Sequence, residues 1–170
     1  MGFLAAVPGF LLGVAVSVAV GIAAGGHVSR LLGVRSVLGS AIILSLGIVL
    51  SATLTPQREA IEFGAVSAGT CDLTRIGLAP LARLRTLNDV SVNILLFVPL
   101  GTAIGLAPGS RRKVAVVIAA VALPFAIELT QLLAPVLDRA CQSADVVDNL
   151  SGLVFGLAAG TVAGRLGRLS

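Results

Sequence analysis

The sequence predicts an all-α fold, a polytopic membrane helix bundle with five transmembrane helices. Composition is the first reason. The 170 residues are 56% hydrophobic and only 12% charged, with a mean hydropathy of +1.05, whereas a soluble domain carries roughly 25% charged residues. The second reason is spacing. Apolar stretches recur five times along the chain, each close to the roughly 20 residues a spanning helix needs. The third is that most charges gather in the intervals between these stretches. The length suits one domain, residues 1–170, with its core in 89–160. Trp and Tyr are absent, so arginine must anchor the interfaces that aromatic belts usually mark.

The first apolar segment is Phe3 to Gly25. No charged side chain precedes it, so it lacks the basic n-region of a cleaved signal and reads as a retained helix. A short basic loop with His27, Arg30 and Arg35 follows. The second helix, Val37 to Leu54, stops at Thr55-Pro56 because a residue before proline is pushed out of the helical region. The longest polar interval comes next, Pro56 to Asn88. Within it Leu78, Leu81, Leu84 and Leu87 recur every third residue. This spacing reads either as a short interfacial helix on the bilayer surface or as plain loop. The third helix covers Asp89 to Ala107 and the fourth Val114 to Ala134, with Pro124 tolerated because neighbouring helices re-satisfy a kinked backbone. The fifth covers Asp145 to Gly164.

Arg30, Arg35, Arg111, Arg112, Lys113, Arg165 and Arg168 share one side of this topology with no acid among them. Arg58, Arg75, Arg83, Arg85 and Arg139 share the other with all eight acids. The positive-inside rule then predicts the N-terminus outside and the C-terminus inside. The pI near 10.5 reflects these interhelical arginines. Nucleic acid is not an expected partner, because no basic run carries stacking aromatics. His27 is the only histidine, which excludes a His-rich zinc site. No phosphate-binding GxxxxGK[ST] loop exists, and no serine has His and Asp partners on its side for a hydrolase triad.

Polar residues inside apolar segments are expensive and mark function by default. Asp145, Asp148, Asn149 and Gly152 stand at helical offsets that share a face. Glu128 and Gln131 pair at i, i+3 near the end of the fourth helix, and Asp89 and Asn93 at i, i+4 at the start of the third. All three polar faces fall at the same membrane depth, because helices three and five start where helix four ends. Asn93, Glu128, Gln131, Arg139, Asp145, Asp148 and Asn149 are therefore the expected ligand-binding set, in a polar pocket at the outer mouth of the bundle. Such a set could bind hydroxyls or amines, or supply a base through Glu128 or Asp145. No metal ion or other cofactor is expected, although hard carboxylate oxygens could also take a divalent cation. The structural alternative is that Arg139 pairs with Glu128 or Asp145 while the amides serve as interhelical glue.

Cys71 and Cys141 both fall on the predicted outer side, where disulfides persist. A bridge is expected there, with two unpaired thiols as the alternative. Gly152, Gly156, Gly160 and Gly164 repeat every four residues, and Gly101 and Gly105 do the same in helix three. This small-xxx-small spacing lets backbones approach. The expected use is packing within the bundle, and a homo-oligomer is the alternative.

NILLFVPLG (Asn93 to Gly101), ELTQ (Glu128 to Gln131) and R-x5-D-x2-D-N-x2-G (Arg139 to Gly152) together resemble the VanZ-like membrane proteins. The resemblance spans Asp89 to Gly160, with the TLTP ending of helix two also similar. It implies that Asn93, Pro99, Gly101, Glu128, Gln131, Arg139, Asp145, Asn149 and Gly152 are positions shared with the family. Ala144 stands where relatives often carry the first acid of a pair. The resemblance further implies a small bacterial inner-membrane protein acting on the cell envelope, since the founding member is linked to teicoplanin resistance. Its expected partners are membrane lipids and an envelope ligand, either a lipid-linked wall precursor or a glycopeptide antibiotic, bound at the outer leaflet. A membrane enzyme for lipid head groups or phospho-linked sugars, and a purely structural role, are the alternatives.

Overall fold

The computed structural model describes residues 6–64, 70–80, 82–83, 86 and 88–167. The elements in order are α1 (Phe10–Leu32), α2 (Ser36–Thr53), a short α3 (Arg58–Phe63), β1 (Cys71–Asp72), α4 (Asp89–Leu106), α5 (Arg111–Leu133), a 3-10 turn (Pro135–Leu137), β2 (Cys141–Gln142) and α6 (Ser143–Leu166). Five of these helices, α1, α2, α4, α5 and α6, are long and apolar enough to cross a membrane. The predicted helix count and order are found. Four of the five spans start and end within three residues of expectation, and α1 does not.

α1 lies seven residues further along the chain than the predicted Phe3 to Gly25. No charge marks the start of the segment, and the apolar residues Val28, Leu31 and Leu32 continue past His27 and Arg30, so hydropathy does not place the ends. Local chemistry does. Pro8 and Gly9 stand before the helix, and Gly33 ends it in the left-handed region at φ 68°, with its amide bonded to Ser29 O. Glycine takes that conformation without steric cost. His27 and Arg30 consequently sit on the helix rather than in a loop.

Two close helix pairs build the bundle. α1 and α2 run antiparallel through small residues: a Cβ on Gly39 would fall 2.8 Å from Ser29 N, and one on Gly25 2.9 Å from Ser40 N. Gly13 meets Ser51 and Gly47 meets Ser17 along the same seam. The buried hydroxyls are satisfied, Ser17 Oγ donating to Gly13 O at 2.7 Å and Ser40 Oγ across the interface to Gly21 O at 2.8 Å. α4 and α6 run parallel and pack through glycine, as expected. Gly152 faces Ile94 O, Gly156 faces Val98 O, Gly160 faces Thr102 O, and Gly101 and Gly105 face Leu153 O and Leu157 O in return. Lipid offers no hydrophobic drive for helices to associate, so this backbone-to-backbone closeness carries the van der Waals contact that holds them. α2 lies on α4, and α5 on α6. Phe97, Ile104, Ile127, Leu153 and Val49 fill the space between them.

At one end of the bundle, basic side chains close helix C-termini. Arg112 donates to Leu31 O of α1 at 2.8 Å, and Lys113 Nζ donates to Gly105 O and Ala107 O at the end of α4, both at 2.8 Å. Cations here satisfy orphan carbonyls and oppose the helix dipole. At the other end Cys71 and Cys141 are bonded, with their Cα atoms 4.5 Å apart, and flank a two-residue parallel pairing of β1 with β2. The expected bridge between the long loop and the α5–α6 loop is thus present. The short helix of the long loop is Arg58–Phe63, ahead of the leucine repeat that suggested one. Leu78 of that repeat is exposed in irregular chain. Leu81, Leu84 and Leu87 lie outside the described residues, as do Arg85 and Arg168.

Candidate functional site

A cavity of about 320 Å³ opens at the cystine end of the bundle, where α4 and α6 begin and α2 and α5 end. α4 contributes Asp89 and Asn93, α5 contributes Glu128 and Gln131, and α6 contributes Asp145 and Asn149. The α5–α6 loop adds Arg139 and Gln142, and the end of α2 adds Ala52 and Thr53. The glycine seam one turn below Asn149 seats α6 against α4 and sets the depth of this polar mouth.

The wall is held by bonds from side chains to backbone. α2 ends at Thr53 without a polar side-chain cap, so its last carbonyls need donors. Arg139 Nη2 supplies Ala52 O at 2.9 Å and Thr55 O at 3.3 Å, and Gln131 Nε2 supplies Thr53 O at 3.0 Å. Glu128 Oε2 accepts the amide of Gln142 at 2.7 Å, just before the first turn of α6. A carboxylate at a helix N-terminus is favoured by the dipole, so Glu128 ties α5 to the start of α6. Burial pushes the Arg139 guanidinium's pKa down, and the Asp145 carboxylate pulls it back up. It stays charged across the physiological range.

Three buried polar atoms in this wall have no hydrogen-bond partner: Gln131 Oε1, Arg139 Nε and Asn149 Oδ1. Gln131 is 6% exposed and Asn149 1%. The orientation of the Gln131 amide is fixed, because its nitrogen already faces the Thr53 carbonyl. An unmet buried donor or acceptor costs about 1–3 kcal/mol, and all three of these belong to residues that line one cavity. The wall thus carries two acceptors and one cationic donor that no other group among the described residues meets. Among the described residues no group of three or more His, Cys, Asp or Glu is placed to hold a metal ion.

Of the expected set, Asn93, Glu128, Gln131, Arg139, Asp145 and Asn149 all line the cavity, and Asp148 does not. Positions 148 and 149 are one residue apart, so they point about 100° apart around a helix of 3.6 residues per turn. Asn149 takes the cavity side and Asp148 turns to β1. There Arg75 grips it with both amino groups, Nη1 reaching Oδ1 at 3.2 Å and Nη2 bonding Oδ2. Arg75 also donates to Gly77 O at 3.0 Å and Ala144 O at 3.3 Å. Ser143 Oγ in turn donates to Arg75 O at 2.8 Å. The alternative pairing of Arg139 with Glu128 or Asp145 is not made: Arg139 serves the α2 carbonyls, and the buried ion pair at this end joins Arg75 to Asp148 instead. Sequence reasoning missed Arg75. Its signal lay in the cystine: once Cys71 abuts Cys141, a residue four positions on reaches the first turn of α6.

The model of the VanZ/LLP1 family matches residues 42–163, more than two thirds of the chain. That range takes in most of α2 as well as α4 to α6, beyond the Asp89 to Gly160 of the motif resemblance. Comparison with curated proteins and with solved structures gave no match.

Proposed function

Because the chain belongs to the VanZ/LLP1 family, we propose that it is a bacterial inner-membrane protein whose polar cavity binds the head group of an envelope ligand at the outer leaflet. The observation that carries this is the set of unpartnered buried atoms, Gln131 Oε1, Asn149 Oδ1 and Arg139 Nε, in the wall of one cavity. The two acceptors, with the Asp145 carboxylate, take hydroxyl or amine hydrogens, and Arg139 takes a carbonyl or phosphate oxygen. A cavity of about 320 Å³ sits at the small end of ligand sites. It suits one sugar-sized or amino-acid-sized group. That size favours part of a lipid-linked wall precursor over a whole glycopeptide, and a contribution to glycopeptide resistance then follows from holding or shielding the precursor.

Arg139→Ala, Asp145→Asn and Glu128→Gln test this reading. Each removes one charged partner, so binding of a precursor head group is expected to weaken about 10- to 100-fold, with glycopeptide susceptibility moving in step. Wild-type binding and susceptibility in all three, at normal expression, would contradict it. The cavity must also face outward. A reporter fused after Ser170 is expected to be active in the cytoplasm, as the basic end of the bundle requires, and activity only outside would overturn the orientation.

A further inference from the structure

The cavity at the start of α4 and α6 is lined by three carboxylates, Asp89, Glu128 and Asp145, with Arg139 the cation among its described lining residues. Part of this set is already engaged. Glu128 Oε2 accepts the Gln142 amide, and Arg139 Nη2 donates to the Ala52 and Thr55 carbonyls. The Asp145 carboxylate lies beside the Asn93 side chain, and a carboxylate accepts about four hydrogen bonds. Asp89 and Asp145 stand in the first turns of α4 and α6, where the helix dipole favours an acid. The dipole does not account for Gln131 Oε1, near the end of α5, or Asn149 Oδ1, in the second turn of α6. Both residues are more than nine-tenths buried, and neither oxygen meets a partner among the described residues. The capacity left in this wall is therefore mostly acceptor, with Arg139 Nε the unmet buried donor.

We infer that the group this cavity takes is a primary ammonium carried next to an anionic oxygen, an inference that rests on the head-group reading above and names the chemistry it selects. An ammonium donates three hydrogens and accepts none. Gln131 Oε1, Asn149 Oδ1 and the Asp145 carboxylate are acceptors for those three, and the neighbouring anion meets Arg139 Nε. A sugar fits this wall less well, because each hydroxyl oxygen also accepts and the buried atoms leave one donor for it. A bare metal ion fits less well too, since among the described residues no group of three or more His, Cys, Asp or Glu is placed to hold one. The carboxylates oppose a head group of net negative charge. Two sources carry the selected chemistry: the phosphoethanolamine of a membrane lipid and the amino-acid end of an envelope peptide.

Two matched pairs of probes test it on the delipidated full-length protein in detergent. Phosphatidylethanolamine is set against phosphatidylcholine by native mass spectrometry, and glycine against its trimethyl form, betaine, by titration calorimetry. Trimethylation keeps the positive charge and the anion but removes every N–H. The N–H form should bind about tenfold better in one pair, the worth of one hydrogen bond to a charged group, and that pair identifies the source. Asn149→Leu should erase most of the preference, whereas Asn149→Asp, which keeps an acceptor there, should retain it. Equal binding within both pairs would overturn the proposal. So would a preference that survives in Asn149→Leu or disappears in a folded Asn149→Asp. Phosphatidylglycerol carries hydroxyls in place of the ammonium. If it is retained as well as phosphatidylethanolamine, and lost in Arg139→Ala, the ammonium is overturned while the head-group reading stands. Failure of every probe to bind, a lipid-linked wall precursor included, would remove both.

Discussion

Gly156→Val should unseat α6 from α4 and destabilise the protein by about 3 kcal/mol, the upper part of the overpacking range. The reason is what a Cβ would meet there. Its nearest neighbours are backbone: Val98 O, Thr102 N at 2.8 Å and Gly101 C at 3.1 Å. Backbone atoms inside a helix cannot swing aside as a side chain end can, so the two helices must separate. Separation breaks the matching contacts of Gly152 and Gly160 on the same seam. It also displaces Asn93 from Asp145 and Asn149 in the cavity above, so ligand binding should fall with stability. Gly26→Ala is the control. Nothing lies within 4 Å of that site, and alanine is about 1 kcal/mol better than glycine inside a helix. Thermal unfolding in detergent should show Gly156→Val well below wild type and Gly26→Ala level with it or above. Equal stability of Gly156→Val and wild type would refute the packing described for α4 and α6.

Arg75→Ala should cost about 3 kcal/mol, because it strands the Asp148 carboxylate. The Asp148 side chain is 1% exposed and its partner's 29%. Removing one member of a buried pair leaves an uncompensated charge worth about 3–5 kcal/mol. The lower figure applies because Arg75 approaches from the solvent side and water can partly replace it. The geometry makes the two partners unequal. Asp148→Asn leaves an Arg75 that still reaches Gly77 O and Ala144 O and can turn to water, so it should cost less than Arg75→Ala. The double variant Arg75→Ala, Asp148→Asn should recover much of the loss, since a neutral amide removes the stranded charge. Chemical denaturation of the three variants reads this directly. A double variant no better than Arg75→Ala would mean that the arginine acts through its backbone contacts rather than through charge. By contrast the Arg58–Glu62 pair, with both side chains 48% exposed, should be worth almost nothing.

Spans, their number and their order were legible because hydropathy and charge are one-dimensional properties of the chain. Site depth followed from alternation alone: helices four and six begin where helix five ends, so Asn93, Glu128 and Asp145 had to meet. The start of α1 was not legible, because no polar run marks it and the ends are set by Gly9 and Gly33. A clearer signal stood unread in the same helix. Gly13, Ser17, Gly21, Gly25 and Ser29 repeat every four residues, as the α6 glycines do, and they form the seam with α2. Counting serine as a small residue as well as a polar one would have paired those helices. The side taken by Asp148 was beyond a coarse face argument, which treats offsets of three and four residues as equivalent. Once α4 fixed Asn149 inward, Asp148 had to point away. Arg75 depended on tertiary structure throughout. Its segment has no periodicity, and only the cystine brings it to α6.

The proposed function requires that a ligand complete the cavity at the start of α4 and α6. Its most direct test is an experimental density map of the full-length protein extracted with its native lipids, read at the cavity. The expected result is a non-protein head group within hydrogen-bonding distance of Gln131 Oε1, Asn149 Oδ1 and Arg139 Nε, with a lipid tail leading away between helices. A cavity filled by ordered water alone, with those three atoms satisfied by it, would contradict the claim.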